Sequence, residues 1–141
     1  MSKSTVTGTK IEQYLINMMV TYQELKPNLW LLDDEEHSLQ GVAVILSDSL
    51  VIIRAEVMDA PRQNQLELYT KLLELNAIDM IHGAYGLENG KIVIIDTLEY
   101  DTMDYEEFRA TLEAISLALT EHYPILAIFR EKDKPETSDP Y

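Results

Sequence analysis

Three groups of residues have types and spacing that could do chemistry. His82-Gly-Ala-Tyr-Gly-Leu-Glu-Asn-Gly-Lys91 puts three glycines and a lysine into one stretch, the composition of a phosphate-cradling loop. Such a loop follows a strand and opens a helix, and its lysine precedes a Ser or Thr that serves magnesium. Here Lys91 is followed by Ile-Val-Ile-Ile, and Asn89-Gly90 between two β-like runs is the signature of a two-residue hairpin turn. The stretch is therefore read as a hairpin, with Gly83 and Gly86 marking a bulge or the close approach of another backbone. The second group, Asp33-Asp-Glu-Glu-His37, offers carboxylates and an imidazole to a metal. Consecutive ligands converge only where the backbone winds around the ion, and the EF-hand spacing with its central glycine is absent. A solvated turn is expected, with no metal and no cofactor. The third group is Asp96, Glu99 and Asp101, with His82 and His122 elsewhere in the chain. A paired-carboxylate site needs two of these to meet in a concave pocket, and no serine stands with an evident His and acid partner. His122 is read as serving the last carbonyls of a helix. No enzyme is expected. The reading outside the binding class is a hydrolase or small-molecule sensor with a hairpin pocket near His82 and Asp96.

The elements that must position these residues follow from composition and periodicity. A chain of 141 residues is one domain long, and without cysteine it has neither disulfides nor thiolate ligands. The net charge of −14, from 25 acidic against 11 basic side chains, disfavours nucleic acid and favours a basic, hydrophobic polypeptide as partner. No apolar run approaches the roughly 20 residues that cross a bilayer, so no membrane is expected. The first ten residues lack the apolar core of a secretory signal, and a cytoplasmic protein is expected.

Thr9 and Glu12 stand at capping-box spacing, and Ile11, Leu15, Met18, Tyr22 and Leu25 form one stripe, which predicts a helix over about residues 10–25 before Pro27. A short strand at Asn28-Leu-Trp-Leu-Leu32 and two strands folded back at Ser47-Asp48-Ser49 make a meander. A second helix is expected over about residues 63–77, then the hairpin. Asp104 with Glu107 makes a capping box, Met103 and Phe108 a hydrophobic staple, and Tyr105, Phe108, Leu112, Ile115 and Leu119 the stripe of a third helix that stops at Tyr123-Pro124. The sum is an α+β domain over residues 10–130. Its antiparallel sheet has the order helix-strand-strand-strand-helix-strand-strand-helix, with helices mainly on one face. Residues 1–9 and the polar 131–141 are expected to be disordered.

Alternation places Val42, Val44, Leu46, Val51, Ile53 and Ala55 on the core face of the meander, and Gly41, Ala43, Ile45, Ile52, Arg54 and Glu56 on the other. An aliphatic pair in the middle of a nominally polar face is a candidate partner-binding strip. Ile45 and Ile52 would be extended by Trp30 or Leu31, with Arg54 at the edge to bond a partner's carboxylate or carbonyls. The competing expectation is that the C-terminal Ile125-Leu-Ala-Ile-Phe-Arg130 covers the strip. Helix 2 carries two apolar rows, Leu66-Tyr69-Leu73 and Leu68-Leu72-Leu75. The second row, with Ala84, Val93 and Ile95 of the hairpin, is the candidate two-fold interface.

This order, with LELYTKLLELNA running into GAYGLENGKIVIIDTLEY and then DYEEFRATLEAISLALTEHYP, resembles the type III secretion chaperone-like superfamily. That superfamily comprises the Tir-type secretion chaperones and the YbjN family of sensory-transduction-regulator-like proteins. The resemblance covers about residues 10–123 and is most telling over 66–123. It implies a homodimer that holds a partner polypeptide in extended form against apolar patches, with no cofactor and no turnover. Its YbjN branch implies instead a regulatory adaptor that meets a folded signalling partner.

Overall fold

Helix α1 (Lys3–Met18) starts well ahead of Thr9 and ends where Met19 takes φ 60°, a left-handed residue that stops the helix before Pro27 is reached. The structure, a computed structural model, describes residues 3–132, with side chains from 10 to 130. The disorder expected of residues 1–9 and 131–141 concerns residues that lie outside those described side chains. Thr9 thus lies inside the helix and not at its start, and the Glu12 carboxylate accepts the indole N–H of Trp30 at 3.0 Å. Tyr22 and Leu25, expected on the helix, belong to strand β1 (Tyr22–Lys26), which pairs antiparallel with β2 (Leu29–Asp34) across Pro27-Asn28. The apolar spacing fitted both forms, and pairing with the neighbouring strand decided between them.

Strands β3 (Leu39–Ser47) and β4 (Leu50–Asp59) pair with Ser47 opposite Leu50, the register expected for the Asp48-Ser49 turn. Helix α2 (Gln65–Ile78) leads to β5 (Ala84–Glu88) and β6 (Lys91–Glu99), joined at Asn89 and Gly90 with φ 51° and 77°, the positive values a two-residue hairpin turn requires. Helix α3 (Tyr105–Glu121) opens on the predicted capping box, with Asp104 accepting from Glu107 N–H at 2.8 Å and Glu107 accepting in return at 3.1 Å. Pro124 both ends α3 and sits in the first turn of α4 (Tyr123–Lys132), where proline is tolerated, and the two helices bend by 51°.

The sheet has six strands in the order β1-β2-β3-β4-β6-β5, all antiparallel. The protein is an α+β domain of the expected order, with β1 and α4 added. Ile11 and Leu15 of α1, Leu68 and Leu72 of α2, Phe108, Leu112 and Ile115 of α3, and Leu126 of α4 all join one core cluster with Leu32, Val42, Val44 and Ile53 of the sheet. All four helices thus serve the same face. Among the described residues no single helix is long and apolar enough to cross a membrane.

Candidate functional site

The face of the sheet away from the helices carries Leu29, Leu31, Ala43, Ile45, Ile52 and Ile95, each half-buried. Register lines them up: Leu31 lies opposite Ala43, Leu29 opposite Ile45, Ile45 opposite Ile52, and Arg54 opposite both Ala43 and Ile95. Trp30 pairs with Val44 and is 0% exposed, so it is a core residue, and the strip extends through Leu31 instead. The reason is parity: one step along a strand moves a side chain to the other face. Arg54 is not a free cation. It bonds Glu88 at 2.6 Å and lies 3.6 Å from Glu56. Since β6 runs between β4 and β5, this ion pair spans β6 on the face where Val93 points. Val93 is buried there yet stands apart from the core cluster. The segment Ile125–Arg130 does not cover the strip. Leu126 and Phe129 of α4 turn into the core, and Arg130 Nη2 donates to the Val57 carbonyl at 2.9 Å.

The leucine rows of α2 are seated the other way round from the expectation. Leu68, Leu72 and Leu75 are buried against the protein's own core, whereas Leu66 and Leu73 are 81% and 68% exposed. The inner row is therefore unavailable to a second copy, and so is the buried Val93. Ala84 is exposed and Ile95 half-buried. Beside the outer row, Tyr69, Leu73, Asn76, Leu87 and Ile92 line an apolar groove of about 200 Å³ between α2 and β5.

A polar cluster that sequence reasoning missed holds β5 against the helices. Asn76 accepts the Tyr85 N–H at 2.7 Å and donates to the Tyr85 carbonyl at 3.3 Å. The Tyr85 hydroxyl lies 2.7 Å from His122 Nδ1, and His122 Nε2 lies 3.3 Å from Asp79. A carboxylate only accepts, so Nε2 carries a hydrogen, and in the tautomer that bears its single hydrogen there Nδ1 accepts from the Tyr85 hydroxyl. Burial raises the Tyr85 phenol well above its ordinary value; Arg130 opposes that rise and Asp79 adds to it. The His122 imidazole, at the C-cap of α3, thus bonds side chains, while its backbone N–H donates to the Ala118 carbonyl. Two residue types separated by 37 positions carried no signal that could be read from spacing.

The other candidates are placed as follows. Asp34 is 5% exposed and accepts from Thr21 N–H at 2.7 Å and His37 N–H at 2.8 Å, so the acidic turn is anchored by a buried carboxylate and not solvated throughout. Burial alone would raise the Asp34 carboxyl, but the Thr21 amide and the imidazole and amide of His37 hold it down to about 2. Ligand atoms of Asp34, Glu36 and His37 lie within 4.8 Å of one another, but both Asp34 oxygens are already engaged as acceptors within the fold. A cavity of about 420 Å³ under the α3–α4 bend is lined by Glu35, Glu56, Tyr85, His122 and Arg130, and does not include His82 or Asp96. Asp96 accepts from the neighbouring Thr97 N–H. At Gly83 a Cβ would stand 3.2 Å from the Ile95 carbonyl, the close backbone approach its position suggested.

A sequence model of the family CesT_Tir_1 matches residues 4–132. No curated protein sequence matches the chain. Among solved structures, YbjN from E. coli is similar with a TM-score of 0.61 and 18% identity, over 83% of this chain and 91% of that one. A chain of the heterodimeric ExoU–SpcU complex from the type III secretion system of Pseudomonas aeruginosa has a TM-score of 0.67 at 12% identity, covering 82% and 96%. The complex of the Yersinia pestis type III secretion chaperone SycH with a fragment of YscM2 contains a chain with a TM-score of 0.58 at 9% identity, covering 81% and 97%.

Proposed function

This chain belongs to the CesT_Tir_1 family, and from that premise we propose that it is a non-enzymatic protein-binding module, a homodimer that holds a partner polypeptide on apolar surface. The observation that carries the reading is the half-buried apolar strip around Ile45 and Ile52, which no helix among the described residues covers, on a sheet whose other face takes all four helices. An uncovered aliphatic strip is an aggregation hazard unless it has an occupant. The partner reading is supported by the complexes among the similar structures, ExoU with SpcU and SycH with YscM2. A net charge of −14 suits a partner that is basic as well as apolar.

The two-fold contact uses the outer row of α2, Leu66 and Leu73, with Tyr69 and Leu87 beside them. A helix apolar on two sides packs once on its own sheet and once on a neighbour. In an isologous dimer this patch meets itself. Static light scattering at micromolar concentration tests the dimer: a monomeric mass sinks it, and Leu73→Asp should yield monomer. Pull-down from the native lysate tests the strip. Ile45→Asp should abolish recovery of the partner while melting temperature and mass stay unchanged. A loss of stability on the order of 2 kcal/mol would instead mean that the strip is internal. The similarity to YbjN favours, as a second reading, an adaptor for a folded signalling partner, which would recover one folded protein and no unfolded chain.

A further inference from the structure

The two edges of the sheet are β1 and β5, and an edge strand presents unpaired N–H and C=O groups to any extended chain that meets it. In an antiparallel hairpin closed by a two-residue turn, alternate residues aim both backbone groups away from the partner strand. With Glu88 opposite Lys91 as the closing pair, Tyr85 and Leu87 are the residues of β5 whose groups face outward. Both outward groups of Tyr85 are taken by one side chain: the Asn76 amide accepts from its N–H at 2.7 Å and donates to its carbonyl at 3.3 Å. A primary amide presents the same donor and acceptor that a pairing strand would, so Asn76 occupies the place of a neighbouring residue in a seventh strand.

We propose that Asn76 is a specificity-determining edge cap that keeps extended polypeptide, whether partner or second copy, from adding to β5. The inference rests on the reading that this protein handles extended chain. Such a protein must prevent its own edges from pairing at random. The cap is held rigidly. Asn76 follows Leu75 on the buried side of α2, and Tyr85 is fixed from the other side by His122 and, through it, Asp79. The β5 edge is thereby reserved for side-chain contact along α2, and strand addition is left to other backbone.

The test compares wild type with Asn76→Ala, which removes both bonds, and Asn76→Asp, which keeps the acceptor and loses the donor. Amide exchange at Tyr85 should quicken about tenfold in dilute Asn76→Ala, as expected for a released edge amide. Light scattering over a concentration series should show species larger than wild type, most for Ala and fewer for Asp. Adding Leu87→Pro to Asn76→Ala should remove the species larger than wild type, because proline deletes one of the two outward N–H groups and is tolerated on an edge strand; since Leu87 also flanks the proposed two-fold contact, the readout is the loss of larger species and not the dimer mass. A merely structural asparagine would predict the opposite, further destabilisation by the proline. Wild-type mass for both single variants overturns the proposal, and so does growth that Leu87→Pro does not reverse. Each comparison is against wild type, so a monomeric wild type would sink the dimer while leaving the edge cap supported or refuted by the same series.

Discussion

The two edges of the sheet solve one problem by different chemistry. At β5 the outward groups of Tyr85 are covered by a neutral amide from α2, and the tyrosine is pinned by an imidazole. At β1, among the described residues, no helix side chain is bonded to the outward backbone of the strand in this way. Gln23, Glu24, Leu25 and Lys26 are exposed, the register shifts between Glu24 and Lys26, and Pro27 follows. Charge, a bulge and a proline blunt an edge without closing it. The anchor of β1 is instead a carboxylate: Asp34 takes the Thr21 N–H just ahead of the strand. The group that caps the outward backbone of β5 is thus a neutral amide, and the group that anchors β1 is a carboxylate.

The largest expected effect lies under the capped edge. Leu68→Ala, at a position with no exposure, should lower unfolding free energy by about 3 kcal/mol in urea denaturation, a typical cost of a core leucine. It should also release the Tyr85 amide to exchange, since α2 carries the cap. A small effect would mean that α2 is not what holds β5.

Next is the acid response of β1. The Asp34 carboxyl is lowered from 3.8 to about 2 in the folded chain. A depressed folded value means that its stabilisation is present above the unfolded value and is lost as pH falls from about 4 to about 2, to the extent of about 2 kcal/mol. Asp34→Asn should flatten that limb of the stability–pH curve, and Thr21 should lose protection in acid before Tyr85 does. Equal acid sensitivity at both amides would erase the proposed contrast.

A smaller effect belongs to the latch on β5. Tyr85→Phe deletes the hydroxyl and leaves the buried His122 Nδ1 without its donor, at about 1 kcal/mol. The smallest belongs to exposed positions. Glu24→Ala on β1 should change stability by no more than about 0.5 kcal/mol, and Leu73→Ala likewise when measured on dissociated protein. A large change at Glu24 would show that β1 is closed by more than its bulge and charges.

What could be read in advance depended on how local the cause is. The hairpin at Asn89-Gly90, the capping box of Asp104 and Glu107, and the register of β3 with β4 were all legible, because each is decided by a few neighbouring residues: positive φ, an orphan amide, a short turn. The alternation of β3 and β4 also identified Ile45 and Ile52 as residues of the face away from the helices. Leu31 and Trp30 could not be told apart in the same way, since only the pairing of β2 with Val42, Ala43 and Val44 assigns their parity.

By itself the sequence determined the element types from α2 to α3, the inward face of the meander and the acidity of the whole. Tertiary structure decided which of two equally apolar leucine rows of α2 turns inward, and that Tyr22 to Lys26 form an edge strand. It also brought Asn76, Asp79, Tyr85 and His122 together. The reason is physical: a side-chain period of 3.6 or 2 is a property of one segment. Which face is buried, and which amide finds which carbonyl across the chain, depends on the surface another segment brings to it.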